Sequence, residues 1–345
     1  MSKSLIIAPN WIGDAVMSEP LIRRLKDFGG DITVLATPWV APVYRSMPAK
    51  PNVIEMAFSH GKIELSKRIN LAKHIKMLGF DQAILLPNSW KSILIPVLAQ
   101  IPEIFAYKGE LRSLFITKSL ENPPKKNRPP MVNHYLNLAN LIRTNSVNLN
   151  ETNRPRLEVD DSLTEKLSNI RISPLFYILA PGAEYGPAKQ WPVNHFGELA
   201  IKLLHSAPSS DVVLMGSSKD TLICEQILQF VDKDLHHRIK NLAGVASLDQ
   251  SISIISKASG LASNDSGLMH IAAALEIPQI AFYGSSDPKH TPPLSPFAGV
   301  LFLGLDCSPC HQRKCPLGHL NCLNQIKPQA AFNELQRCIT LRESN

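Results

Sequence analysis

Short apolar runs alternate along this chain with stretches whose apolar residues recur every three or four positions, the mark of strands alternating with helices. In the N-terminal half, residues 5–8 and 32–36 read as strands, with a helix over 15–28 between them. Pro20 lies inside that helical pattern. A proline lacks the N–H that a helix interior needs, so regular helix is expected only from near Ser18, with Pro20 in its first turn. Residues 63–78 and 92–99 read as helices and 82–86 as a buried strand. Four prolines within 123–130 exclude a helix or a central strand there. A helix follows over 132–143, and the polar stretch 148–161, which contains Arg154-Pro155, reads as a linker.

The rhythm then restarts. Strands are expected at 176–180, 212–215, 261–263 and 279–283, and helices at 194–205, 221–231, 247–257 and 267–275. This alternation implies parallel sheets with helices on both faces. The expected fold is α/β, with two Rossmann-like domains (residues 1–160 and 161–327) facing across a cleft, followed by a C-terminal helix within 328–345. Ligands of such sheets bind at the carboxyl ends of the strands.

Composition narrows the picture. Apolar residues make up 44% of 345, enough for two cores, and charged residues only 19%, which excludes wholesale disorder. No stretch approaches the roughly 20 apolar residues of a spanning helix. The N-terminus enters a strand without a signal-peptide pattern, so a cytoplasmic protein is expected. The net charge of +7 invites an anionic partner. The basic residues are scattered rather than concentrated with aromatics, which argues against a nucleic-acid module. The first strand is followed by PNWIGD and not a G-x-G-x-x-G turn, which argues against a dinucleotide-dependent enzyme.

Three rim loops carry the candidate chemistry. In SNDSGLMH, Asp265 stands where an N-cap belongs, and Ser266 and Gly267 offer first-turn N–H groups. Such a helix end suits a diphosphate. His270, one turn deeper on the same face as Ser266, is either a donor to the ligand or a core histidine. In PGAEYGPAKQWP, Gly182 and Ala183 leave room for phosphate. Lys189 either neutralises that phosphate or is a solvated turn residue. Gly216, after the next strand, belongs to a third loop of weaker specificity. Near the N-terminus, Asp14 is either a general base for an attacking hydroxyl or a helix cap.

These motifs together resemble a known family. IIAPNWIGDAVMSEPLIRRL, LLPNSWKS, PGAEYGPAKQWP, NLAGVASLDQSISIISKASGLASNDSGLMHIAAAL and IAFYGSSDPKHTPPLS are similar to segments of the ADP-heptose:lipopolysaccharide heptosyltransferases of glycosyltransferase family 9, over residues 4 to 300. APNWIGD and PGAEYGPAKQWP resemble the branch that adds the second heptose. The resemblance implies a GT-B fold, with acceptor held by the N-terminal domain and nucleotide sugar by the C-terminal one. It implies an inverting transfer from ADP-heptose, a substrate, with no cofactor and no essential metal. Asp14 then matches the catalytic base and Lys189 the lysine that stabilises the leaving diphosphate. Asp265, Ser266, Gly267 and His270, with Gly182, Ala183 and Gly216, fall to the nucleotide sugar.

The expected acceptor is the heptosyl-Kdo-lipid A inner core, which carries carboxylates and phosphates. Asn10, Trp11, Lys67, Arg68, Lys91 and Arg112 are the candidate acceptor contacts. Lys125, Lys126 and Arg128 lie nearby in sequence and could extend a basic rim toward the inner membrane surface. No nucleic-acid partner is expected. The alternatives are a family 9 enzyme with another donor or acceptor and, further off, a non-catalytic nucleic-acid-binding protein. Four of six cysteines, Cys307, Cys310, Cys315 and Cys322, crowd one segment with His311 and His319. Their spacing is compatible with a tetrahedral metal site and equally with a thiol-rich surface loop.

Overall fold

The computed structural model describes residues 2–58, 63–110, 112–124, 128–143, 153–159 and 171–345. Residue contacts divide the chain into two units, Met1–Glu158 and Val159–Asn345. Half of the expected linker, residues 148–152 and 160–161, lies outside the described residues, as do Lys125 and Lys126.

In chain order the first unit holds β1 (Lys3–Ile7), α1 (Ile12–Met17), α2 (Glu19–Asp27), β2 (Asp31–Ala36), α3 (Ala41–Arg45) and β3 (Asn52–Glu55). It continues with α4 (Leu65–Leu78), β4 (Gln82–Leu85), α5 (Leu94–Leu98), β5 (Glu103–Tyr107), β6 (Lys118–Leu120) and α6 (Met131–Leu136). The strands form a parallel sheet in the order β3-β2-β1-β4-β5-β6. The expected single helix over 15–28 is two helices that meet at Ser18, whose hydroxyl donates to the Ala15 carbonyl at 2.7 Å. Pro20 occupies the first turn of α2, where its missing N–H costs nothing. Residues 153–158 are not a free tether. Glu19 is fully buried, pairs with Arg23 at 3.0 Å and accepts from the Arg156 N–H, while Arg23 donates to the Arg154 carbonyl.

The second unit repeats the plan. It contains β7 (Phe176–Ala180), α7 (Val193–Ser206), β8 (Asp211–Leu214), α8 (Thr221–Phe230), β9 (Ile239–Asn241) and α9 (Leu248–Ser256). After these come β10 (Gly260–Asn264), α10 (Gly267–Ala274), β11 (Gln279–Tyr283), β12 (Ala298–Phe302), α11 (Asn321–Asn324) and α12 (Pro328–Glu343). Its sheet runs β12-β11-β10-β7-β8-β9, all parallel. Counted from each unit's own first strand, both sheets have the doubly wound order 3-2-1-4-5-6. The switch points therefore fall between β1 and β4 in the first unit and between β7 and β10 in the second. The five residues of β7 are all buried, as a central parallel strand covered on both faces requires. The C-terminal helix α12 belongs to the second unit: Leu335 and Cys338 are buried in its core beside Tyr177 and Phe282. Leu335 packs so close to Gly260 that a Cβ there would lie 3.1 Å away. Among the described residues no helix is long and apolar enough to cross a membrane.

Candidate active site

At the switch point of the second sheet, the loop after β7 and the start of α10 are tied together by a buried asparagine. Asn264 ends β10 fully enclosed; its side chain accepts from the Trp191 N–H at 2.9 Å and donates to the Pro181 carbonyl at 2.6 Å. The far end of the loop is held by Trp191, which stacks on Phe282 at 4.0 Å, meets Phe196 edge-on and donates its indole N–H to the Ile326 carbonyl. Each such aromatic pair contributes about 0.5–1.5 kcal/mol beyond the area it buries. The loop is thus fixed at both ends before any ligand arrives.

Between these anchors stands Lys189, whose ammonium lies 2.5 Å from the Asp265 carboxylate, with most of both side chains shielded from solvent. The lysine also lies 5.1 Å from the centre of the Tyr185 ring, a cation–π contact. This pairing corrects the expectation that Asp265 caps α10. The N-cap is Ser266, in extended conformation and without a side-chain cap bond, because the Asp265 carboxylate is turned to the lysine. The Ser266 hydroxyl is buried with no hydrogen-bond partner, and so are those of Ser285 and Ser286 after β11. Buried hydroxyls without partners are rare, and a cluster at the rim of a sheet marks a place built for a polar ligand. His270, one turn into α10, is 5% exposed, and burial lowers its pKa to about 4, with Asp265 raising it and Lys189 lowering it. Its imidazole is therefore neutral at physiological pH and can donate from only one nitrogen.

The glycines of the neighbouring loops have a different cause from the one expected. A Cβ on Gly182 would lie 2.6 Å from the Asp220 carboxyl carbon, and one on Gly216 would lie 2.7 Å from the Asp220 Cβ. Asp220 in turn accepts from the Ser217 N–H and hydroxyl. Gly182 and Gly216 are small because this aspartate packs between them, and the Ala183 side chain is buried.

In the first unit the rim is organised by arginines spent inside the protein. Arg112 is 1% exposed and donates to the carbonyls of Pro87 and Tyr107, to the Ser92 hydroxyl and to the Asn88 side chain. It props up the loop that follows β4. Arg68, 6% exposed, donates to the Ile63 and Lys91 carbonyls and lies 3.9 Å from the centre of the Phe58 ring. Both are expected acceptor contacts, and in the structure the guanidinium of each is bonded within the protein. Burial lowers the pKa of each. Lys67 is exposed but pairs with Glu64 at 2.5 Å. Asn10 and Trp11 are exposed, and the Asn10 carbonyl accepts from the Trp39 indole at 3.0 Å. Asp14 is partly buried in the first turn of α1, whose N-cap is Trp11. Its negative charge reaches the buried phenols of Tyr44 and Tyr135, whose pKa values are raised first by burial and further by Asp14.

With this geometry in view, the chain was compared with known proteins. The pattern of glycosyltransferase family 9 (heptosyltransferase) matches residues 68–321. The chain belongs to that family. Lipopolysaccharide heptosyltransferase 2 of Escherichia coli is 35% identical over 350 residues, covering 99% of this chain and all of the relative. Lipooligosaccharide heptosyltransferase 2 of Haemophilus influenzae is 36% identical over 312 residues, 87% of this chain and 88% of the relative. The solved structure of E. coli ADP-heptose lipopolysaccharide heptosyltransferase II superposes with a TM-score of 0.85 at 34% identity over 99% of both chains. The protein is a family 9 glycosyltransferase with two doubly wound α/β units of GT-B type.

Several groups that shape this glycosyltransferase were not legible in its sequence. Asn264 lay inside the quoted motif, yet nothing local shows that its side chain staples two loops 83 residues apart. Asp220 and the Ser285–Ser286 pair carried a signal only in their position just after strands. Among the described residues no three His, Cys, Asp or Glu side chains stand ready-made around a cation.

Proposed function

We propose that the chain transfers L-glycero-D-manno-heptose from ADP-heptose to the first heptose of the lipopolysaccharide inner core, with inversion at the anomeric carbon. The reading rests on the Lys189–Asp265 pair at the switch point, set beside unpartnered hydroxyls and the N-terminus of α10. A cation, free N–H groups and unsatisfied hydroxyls on a prefixed rim are what a diphosphate needs, and family membership supplies the sugar.

In the proposed reaction Asp14 takes the proton from a hydroxyl of the acceptor heptose. That oxygen bonds to the anomeric carbon of the donor while the bond from that carbon to the diphosphate oxygen breaks. ADP leaves with the electron pair. Lys189, aimed by Asp265, and the first N–H groups of α10 meet the charge that develops on the diphosphate. Ser266, Gly267 and the neutral His270 complete the nucleotide-sugar contacts. Gly182, Ala183 and Gly216 serve through the loop shape they and Asp220 impose. On the acceptor side, Asn10, Trp11, Lys67 and Lys91 are the proposed contacts, with Arg68 and Arg112 shaping the loops that carry them. Exposed Leu114 and Phe115 suit peripheral contact with the cytoplasmic face of the inner membrane, where a lipid-linked acceptor resides. No nucleic-acid partner is proposed.

The test is ADP release from ADP-heptose with core acceptors carrying no heptose or one. Turnover confined to the one-heptose acceptor is expected, and turnover on neither would move the donor or acceptor to another sugar. Replacing Asp14 by Asn should lower kcat by about 10²–10⁴-fold, the usual contribution of a general base. An Asp14→Asn enzyme with full turnover would remove Asp14 from the mechanism.

A further inference from the structure

Between the end of β12 at Phe302 and the start of α11 at Asn321 lie 18 residues, 303–320, without helix or strand. Ordered stretches longer than about 12–15 residues without secondary structure are uncommon and carry a functional or cross-linking reason. Hydrogen bonds fasten this one to its surroundings at several points. The Ser308 hydroxyl donates to the Gly284 carbonyl, and the His311 N–H donates to the Ser285 carbonyl. The Tyr185 hydroxyl donates to the His311 carbonyl. What braces the segment internally is another matter, because it has almost no apolar core of its own. Its cysteines supply the candidate. Cys307, Cys310 and Cys315, with Cys322 from α11, line a single pocket floored by Ala188 and Ser285. All six cysteines of the chain are unpaired, but Cys224 and Cys338 are buried in the ordinary core, apart from this pocket.

We infer that Cys307, Cys310, Cys315 and Cys322 form a tetrathiolate site for one soft divalent cation, zinc or iron(II), which braces this segment. Four sulfurs with no oxygen ligand among them select such a cation over magnesium or calcium. The sulfurs do not stand at ligating distance without the ion. Three of the four lie on irregular backbone, outside helix and strand. Binding then releases protons from the thiols.

The brace has a second consequence, which rests on the donor-site reading above. The Arg313 carbonyl, between Cys310 and Cys315, accepts from the Ala188 N–H at 3.1 Å and lies 2.6 Å from where a Cβ on Gly186 would stand. Gly186 has a φ of +148°, and Lys189 follows Ala188 directly. A cation at the cysteines would therefore hold the back of the turn that presents Lys189.

The test is metal analysis of the untagged full-length protein, purified under reducing conditions without chelator and, if apo, reconstituted with zinc. About one equivalent per chain is expected. Replacement of the ion by cobalt(II) should give the visible bands of a tetrahedral thiolate complex. Cys310→Ser/Cys315→Ser should drop the content below roughly a tenth of an equivalent. Should that variant fail to fold, the wild-type cobalt spectrum and the protection of four thiols from alkylation by the ion decide the matter. Metal below a tenth of an equivalent after reconstitution, disulfides in place of the thiols, or unchanged metal in the folded variant would overturn the site. If the site holds, ADP affinity should fall about tenfold on metal removal. Unchanged ADP binding would overturn only the coupling to Lys189, and absence of ADP binding in the metal-loaded protein would instead count against the donor-site reading.

Discussion

The two units share one strand order and differ in where they spend their charge. At the second unit's switch point a lysine and an aspartate face each other at the rim, and the buried histidine beside them is kept neutral. At the first unit's rim the two most deeply placed cations, Arg68 and Arg112, turn inward and bond mainly to main-chain carbonyls. A rim charge that is paired with one movable carboxylate remains available to a ligand. A guanidinium committed to several carbonyls is a structural strut. Shared topology thus fixes where a site can lie, and the partners of each charged group decide whether it acts on a ligand or on the fold.

The strongest way to break this comparison is at Lys189. Lys189→Met should lower kcat by about 10²–10³-fold, the range seen when one group that stabilises transition-state charge is removed. The loop it leaves remains anchored by Asn264 and Trp191, so thermal stability should change little. A variant with unaltered turnover would make the lysine a turn residue and leave Asp265 without a functional partner.

How much of this was readable beforehand depends on the range of each interaction. The central strands β1, β4, β7 and β11 announce themselves as apolar runs, because both their faces are covered. Three of the four edge strands do not. β3 is NVIE, β6 is KSL and β9 is IKN, short and polar in the way that sheet edges are kept from pairing with other chains. The motifs around Asp265 and Lys189 stood out, but their contact spans 76 residues and no local pattern encodes it. The inward bonding of Arg68 and Arg112 was not legible for a physical reason. A lone arginine reads as surface, and only the tertiary fold shows the carbonyls left over by the loop after β4. Gly182 looked like room for phosphate, whereas the space beside it, and beside Gly216, is taken by the Asp220 side chain.

The complementary test in the first unit replaces Arg112 by Met, similar in length but without donors. It takes the charged donor from the Pro87 and Tyr107 carbonyls, each a shielded group whose lost partner costs about 1–3 kcal/mol, while the Ser92 hydroxyl keeps its bond to the Ser89 carbonyl. A loss of about 2–4 kcal/mol in denaturant unfolding is expected, with ADP affinity unchanged. If instead stability holds and only acceptor KM rises, Arg112 belongs to the acceptor site and the contrast between the units weakens.

Acid sharpens the comparison most gently. His270 titrates near 6.5 when unfolded and near 4 when buried in α10. Between those values the unfolded chain binds the extra proton, so stability falls as pH drops from about 6.5 toward 4 and is untouched by this group above that window. The full penalty is about 3 kcal/mol at the acid end. Buried Glu19 in the first unit works in the opposite sense: burial raises its pKa, so the folded state gains protons first and acid favours it. Subtracting the stability–pH curve of His270→Asn from that of the wild type removes the common titrations and leaves the histidine's share. The difference should be flat above pH 6.5 and slope downward below it. A difference that is flat throughout would mean the imidazole takes up its proton as readily in the folded protein as in water. In that case His270 faces the nucleotide site as a cation only below about pH 6.5, and there the rim of the second unit carries one more positive charge for the diphosphate than its burial allows.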